Sequence, residues 1–397
     1  DRFFLDPGHM SPMLYSTLAL AGIFTLDELK SFRQWGSITS GHPERDIEKG
    51  IENTSGPLGQ GHAMALGAAI AERFLAARFG EWLSHKTYAY ISDGGIQEEI
   101  SQGVGRLAGH LGLHNLIMFY DSNDIQLSSK TSEVSSEDTA LKYQAWGWNV
   151  ITIIGNDQNQ IRDALKKANE EKSRPTIIIG KTIMGKGARN EAGESFEAKI
   201  STHGMPLSEA GGSFSKTVQN LGGDPENPFI IFSDVAEYYK TVREKKIKDA
   251  SLRKQQQLQW EKENPELKAK WDQFWSSDAP NLDWASIEQK ANSATRNASG
   301  TVLGFLAKNV DNIIVSSADL SNSDKTDGFL KNSKTLKKND FSGAFLQAGV
   351  AELTMATVMN GIAAHGGLKA VCATFFTFSD YKKPAIRMAA LMKLPVK

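Results

Sequence analysis

Two strand ends carry the residues whose types and spacing suggest chemistry. The segment YAYISDGGIQEEI (88–100) reads as a buried strand from Tyr88 to Ser92 that stops at Asp93-Gly94-Gly95. One strand–helix–strand unit later, LIMFYDSNDIQL (116–127) stops in the same way at Asp121-Ser122-Asn123. Ligands of parallel α/β sheets gather at the carboxyl ends of the strands, and this spacing brings Asp93 and Asn123 to adjacent ends. Two hard oxygen ligands with a backbone carbonyl suit Mg²⁺ or Ca²⁺, and Mg²⁺ usually completes its shell with water and phosphate oxygens. Gly94 and Gly95 let a ligand approach the backbone. The local expectation is a divalent ion clamping a diphosphate. A plainer role is open to the same residues: Asp93 capping the next helix and Asn123 making a turn.

Other segments add to this pattern. SGPLGQGHAMALGAA (55–69) is a glycine-rich turn running into a helix, a shape that suits close approach of a phosphate. It lacks the Gly-Lys-Ser/Thr ending of a P-loop, and no G-x-G-x-x-G follows a strand. His9, His42, His62 and His203 each lie beside glycine or proline in loop-like contexts. None has the spacing of a zinc site, and a lone histidine of this kind is more often structural.

The elements that must position these groups alternate in type. Tyr88–Ser92, Leu116–Asp121, Val150–Ile154 and Thr176–Thr182 read as short strands buried on both faces. Helical patterns at 61–79, 98–112 and 159–172 lie between them, which predicts a doubly wound parallel sheet. Residues 234–276 are dense in charge and read as long, largely exposed helices with a solvated face. A linker at 276–284 leads to a second α/β unit: a helix over 286–309, a strand at Asn312–Ser316, a helix near Phe345–His365, a strand at Ala370–Phe375 and a final helix. The expected division is a first domain over 1–280, including the charged helical segment, and a second over 281–397.

Composition excludes several classes. The 397 residues carry 45 basic and 46 acidic side chains, a net charge of −1, so no global basic field points to nucleic acid or an anionic membrane. The single cysteine, Cys372, permits no intrachain disulfide and fits a reducing, cytoplasmic setting. No apolar run approaches the length of a membrane span. The chain opens at Asp1 without Met and closes on MAALMKLPVK, which reads as a fragment; a targeting segment upstream is compatible with that reading.

The chain resembles the transketolases over essentially its whole length. The motifs that carry the resemblance are DRFFLDPGHMSPMLYS, FRQWGSITSGHPE, TSGPLGQG, SDGGIQEEISQ, YDSNDIQL, KTIMGKGA, THGMPL, SSADLSNS and FFTFSDY. Each alone is weak; nine in family order are specific. The resemblance implies the thiamine diphosphate-binding fold, with a diphosphate-binding domain followed by the first part of a pyrimidine-binding domain. It also implies transfer of a two-carbon ketol unit from a ketose phosphate to an aldose phosphate through the cofactor's ylid, in the pentose phosphate pathway.

The resemblance further implies a set of site residues. Asp93, Asn123 and the carbonyl of Ile125 would hold Mg²⁺ or Ca²⁺. Gly56, Pro57 and Leu58 of the glycine loop, with Gly94 and His203, would line the diphosphate and thiazolium. Asp121 would be a further cofactor contact, and Leu58 and Leu127 would pack on its rings. Glu352 would act on the pyrimidine nitrogen and so promote deprotonation of the thiazolium carbon. Phe375, Phe378 and Tyr381 would cradle the pyrimidine by stacking; from composition alone such an aromatic stripe reads as core. Asp319 would contact the cofactor or its shell. Glu352 and these aromatics would act on cofactor held by another copy, so a homodimer with sites at the subunit interface is implied, with Glu98 as the coupling glutamate. His9 and His42 would line the substrate channel, His203 sharing that duty. Arg296 and Ser323 would grip the substrate phosphate, arginine because its fork meets phosphate oxygens in a bidentate way; the plainer reading of Arg296 is a surface residue.

Three departures stand out. Ser92 replaces the first glycine of the family's Gly-Asp-Gly. Ala351 and Leu353 replace the charged and polar neighbours of the catalytic glutamate. The family's first substrate histidine and its later pyrimidine-domain histidine have no counterparts here. The competing readings are a related thiamine diphosphate enzyme, resembling dihydroxyacetone synthase or deoxyxylulose-phosphate synthase, and a catalytically incompetent cofactor-binding fragment.

Overall fold

Short apolar runs become eight strands in two parallel sheets in a computed structural model that describes residues 1–203, 205–278 and 280–397. The first sheet has the order β1 (Arg2–Leu5), β2 (Thr87–Ser92), β3 (Leu116–Ser122), β5 (Thr176–Lys181), β4 (Asn149–Ile154). The second has the order β7 (Phe345–Gln347), β6 (Ile313–Ser317), β8 (Lys369–Ala373). Every strand pair is parallel. The α/β architecture is therefore the one the strand–helix alternation predicts. Gly204 of the Thr-His-Gly motif and Ala279 of the expected linker lie outside the described residues.

Several local expectations are corrected. β1 has no counterpart in the sequence reading: four residues give too short a pattern, and only pairing with β2 makes it a strand. The helix expected from Phe345 begins at Glu352, because Phe345–Gln347 pairs with β6. The helix expected over 286–309 begins at Thr295. The 98–112 pattern is broken at Glu98 (ψ 138°), which separates the helices Asp93–Gln97 and Glu99–Leu111. β2 alternates between buried and half-buried positions rather than being closed on both faces, and Tyr88 and Tyr90 lie on its more open side.

The charged segment forms two helices, Ser233–Glu263 and Pro265–Trp275, parted at Asn264-Pro265. Proline suits a first helical position, where its missing N–H costs nothing. The longer helix buries none of its residues. Aromatic rings anchor its end instead: Trp260 packs edge-on to Phe79 at 6.1 Å and lies 5.1 Å from Trp82.

The two α/β units share one apolar core. The helices Gln60–Phe79 and Glu352–His365 cross at glycines. A Cβ on Gly67 would lie 2.0 Å from the carbonyl oxygen of Val358, and one on Gly361 would lie 2.0 Å from that of Met64. This crossing ties the glycine-rich loop, at the start of one helix, to Glu352, at the start of the other.

Candidate active site

The register explains the first cluster. Ser92 pairs with Asp121 across β2 and β3, so Asp93 and Asn123 leave neighbouring strand ends together. Asp93 is not the helix cap. That work falls to Ser92, whose hydroxyl accepts the Gly95 N–H. The buried Asp93 carboxylate turns to the next strand end, accepting the backbone N–H groups of Asn123 and Asp124 at 3.0 Å each and the Tyr120 hydroxyl at 2.6 Å. Burial raises the pKa of Asp93, and these three donors oppose the rise. Asn123 does make a turn, its Oδ1 accepting the Ile125 N–H at 3.0 Å.

Asp121 is held nearby. It accepts Tyr90 Oη at 3.0 Å, Asn123 Nδ2 at 3.3 Å and the Thr182 hydroxyl. Ile125 is buried, whereas Leu127 is 71% exposed in the turn that follows.

The glycine loop is braced by Asp6, a residue without a role in the sequence reading. Its carboxylate accepts the N–H groups of Gly59 at 3.0 Å and His62 at 3.2 Å, and the His62 ring nitrogen at 3.0 Å. Asp6 and His62 are both fully buried, so His62 is a structural histidine. Gly56 has φ 138° and leaves open space where a side chain would project, and a Cβ on Gly94 would approach Leu58 to 2.8 Å. Gly8 brings His42 and the Gly56 N–H together, since a Cβ there would meet both.

The His9 and His203 rings lie 4.9 Å apart. Burial lowers the pKa of His9, and the charges of His203 and His42 push it the same way. Burial also lowers that of His203, opposed by the carboxylate of Asp93. Three histidines thus converge with Asp93 and Asp121 on one mouth. Burial favours the neutral forms of His9 and His203, each able to donate or accept a hydrogen bond.

The second cluster lies at the start of the Glu352–His365 helix. Glu352, Asp319, Phe378 and Tyr381 line an open cavity of about 590 Å³, together with Glu99 and Ile100. Thr374 donates to Glu352 Oε1 at 3.3 Å. Phe375 and Phe378 stack at 5.9 Å, and Tyr381 follows at 6.0 Å, 64% exposed. The aromatics therefore form an open platform rather than core. Asp319 sits in the left-handed region at φ 62°, a strained backbone state of the kind that collects at functional sites. Glu98 is exposed between the two helices it separates and flanks the glycine loop at Gly59.

Among the described residues, no hydrogen bond, ion pair or ring contact joins the His9–His203 cluster to the Glu352 cluster. Arg296 is exposed on the first turn of its helix, and the hydroxyl of half-buried Ser323 bonds to Asn322 while its N–H donates to the Leu320 carbonyl at 2.7 Å; among the described residues, neither side chain bonds to a residue of either cluster. Asp6, Tyr90, Tyr120, Thr182 and Thr374 have no role in the sequence reading. All but Thr374 lie in segments quoted there, but they meet their partners across strands or loops, which spacing along the chain does not reveal.

The residues present fit a diphosphate and a divalent ion. His203 Nδ1 is buried without a partner among the described residues, the glycines of the loop leave room for a ligand, and Asp93, Asn123 and the Ile125 carbonyl form a hard-oxygen donor set. Among the described residues no cluster of three or more His, Cys, Asp or Glu could hold a metal, which leaves this mixed set. No helix among them is long and apolar enough to cross a membrane.

Comparison with known proteins gives a consistent result. Residues 1–280 match the family described as "Transketolase, thiamine diphosphate binding domain", and residues 291–397 match "Transketolase, pyrimidine binding domain". The chain is 40% identical over 406 residues to a transketolase of Halalkalibacterium halodurans and 41% over 405 residues to one of Geobacillus stearothermophilus. In each case it is covered completely and spans 59% of the relative. Among solved structures, a transketolase from Leishmania mexicana superposes with a TM-score of 0.93 at 33% identity, covering all of this chain and 59% of that one. A Pichia stipitis transketolase in complex with sedoheptulose 7-phosphate superposes with a TM-score of 0.92 at 32% identity, covering all of this chain and 60% of that one.

Proposed function

The chain belongs to the transketolase family, and from that premise we propose that it carries the cofactor-binding machinery of an enzyme that moves a two-carbon ketol unit from a ketose phosphate to an aldose phosphate. The observation that carries the reading is the convergence of Asp93, Asn123, the glycine loop and three histidines at one end of the first sheet. Asp93, Asn123 and the Ile125 carbonyl hold Mg²⁺, or Ca²⁺ in its place, against the diphosphate. Gly56, Pro57, Leu58, Gly94 and His203 line it, with Asp121 and Leu127 beside it. When bound, thiamine diphosphate supplies the stabilised carbanion that ketol transfer needs.

This chain's own residues orient and tune. Glu352 holds a proton at the pyrimidine ring nitrogen, with Phe375, Phe378 and Tyr381 as the ring's platform and Asp319 at its edge. His9, His42 and His203 bind substrate hydroxyls and stabilise negative charge where it develops. Arg296 and Ser323 take the substrate phosphate. The separation of the two clusters within one chain supports a homodimer, in which the diphosphate cluster of one copy and the Glu352 cluster of the other would together hold one cofactor, with Glu98 between the sites. The division at residue 280 and a cytoplasmic place in pentose phosphate metabolism belong to the same proposal.

Titration calorimetry of thiamine diphosphate into the metal-stripped chain, with and without Mg²⁺, tests the clamp: binding is expected only with Mg²⁺. Transfer assayed with ribose 5-phosphate against formaldehyde or pyruvate as alternative substrates then separates this activity from those of related thiamine enzymes. Ala351 and Leu353 beside Glu352 favour one second reading, a chain that binds cofactor without turnover. Tight binding without transfer would select it.

A further inference from the structure

Lone-pair accounting at Asp93 leads one step past the metal reading, on which it rests. The Asp93 side chain is buried, and Oδ2 receives two backbone N–H groups, from Asn123 and Asp124, at 3.0 Å each. Each carboxylate oxygen offers about two lone pairs, so Oδ2 is filled. Oδ1 receives the Tyr120 phenol at 2.6 Å and keeps one lone pair. Asn123 Oδ1 accepts the Ile125 N–H and likewise keeps one. Each side chain therefore offers a cation a single, directed lone pair.

The holder itself is fixed. Tyr120 is 4% exposed, with its ring in the main apolar core. The turn that aims the two N–H groups is set by Asp124 in the left-handed region at φ 64°. With Oδ2 pinned by backbone and Oδ1 by a buried phenol, the carboxylate plane cannot rotate.

We propose that Tyr120 is a positioning residue that sets the metal preference of the site, holding the Asp93 carboxylate as a one-point ligand in a fixed plane and so favouring Mg²⁺ over Ca²⁺. Mg²⁺ demands near-ideal octahedral geometry at short distance, whereas Ca²⁺ accepts variable geometry, higher coordination and two-point carboxylates. A rigid set of one-point donors penalises Ca²⁺ and suits Mg²⁺. Freeing Oδ1 lets the carboxylate turn, which costs Mg²⁺ more than Ca²⁺.

The test is Tyr120→Phe in the 397-residue chain, with thiamine diphosphate binding followed by calorimetry across titrations of Mg²⁺ and of Ca²⁺. Loss of a partner behind a metal ligand typically weakens metal binding about 10–100-fold. The expected result is a loss of that order for Mg²⁺ and a smaller one for Ca²⁺. Tyr90→Phe, which frees Asp121 rather than Asp93, leaves the ratio of the two metals unchanged. If Tyr120→Phe does not fold, 3-fluorotyrosine at position 120 strengthens the phenol as a donor and shifts the ratio the opposite way. Equal losses for both metals, or none, overturn the role of Tyr120. Asp93→Ala separates the layers: metal-dependent binding that survives it removes the metal reading and this inference together, whereas binding lost in Asp93→Ala with an unmoved ratio in Tyr120→Phe removes only the inference. Absence of metal-dependent binding in the wild-type chain removes both.

Discussion

Acid should loosen this protein at a particular joint, where His85 stacks on His365 with ring centroids 5.4 Å apart and planes 11° from parallel. His85 Nδ1–H donates to the Leu83 carbonyl at 3.2 Å and His365 Nδ1–H to that of Gly366 at 3.1 Å. Both Nε2 atoms are buried without a partner among the described residues. A proton on either would have no acceptor, and the guanidinium of Arg2, which donates to the His365 carbonyl at 2.8 Å, adds repulsion. Burial accordingly pushes the His85 pKa down from 6.5 to about 4, and holds that of His365 well below its ordinary value.

The sign of the pH effect follows. Between about pH 6.5 and pH 4 the unfolded chain binds a proton at His85 that the folded chain refuses. Stability is therefore full above pH 6.5 and falls as the pH falls toward 4. At 1.36 kcal/mol per unit of pKa difference, His85 alone removes about 3 kcal/mol across that window, a large part of the 5–15 kcal/mol typical of a folded domain. Urea unfolding followed by tryptophan fluorescence is suited to the joint, because Trp82 lies close by in sequence and packs against Trp260. Wild type and His85→Gln would be compared at pH 7.5, 6 and 5. Burial also lowers the pKa values of His9, His114 and His203, so the wild-type slope is a sum, and the difference between the two proteins isolates His85. The reasoning fails if the two lose stability along the same slope, or if the wild-type midpoint does not move between pH 7.5 and 5.

Other perturbations probe the site and its support. Gly361→Ala would press a Cβ to 2.0 Å from the Met64 carbonyl oxygen; helix backbone cannot yield there, so overpacking should cost about 1–3 kcal/mol or more, read as a lower urea midpoint, and an unchanged midpoint would refute the close crossing. Asp93→Ala should abolish Mg²⁺-dependent binding of thiamine diphosphate in calorimetry, and unaltered affinity would sink the metal assignment. Glu352→Ala should bind the cofactor but exchange the thiazolium proton far more slowly, as hydrogen–deuterium exchange followed by NMR will show; exchange at the wild-type rate would rule out the role given to Glu352.

What the sequence determined by itself is what local pattern encodes. Strand ends at Asp93 and Asn123, the glycine loop before the Gln60–Phe79 helix and the solvated charge of the 233–263 helix are all legible, because apolar periodicity and glycine or proline punctuation act over a few residues. The tertiary structure alone decided which groups meet. Only the register of β2 against β3 turns Asp93 away from capping, hands that work to Ser92 and delivers the carboxylate to Tyr120. Asp6 reaches the loop it braces across more than fifty residues of chain, and Phe345–Gln347 is a strand only because β6 is beside it. Backbone preference is set by near neighbours, whereas side-chain partners and short strands are set by pairing and packing between segments remote in the chain, which no local spacing records.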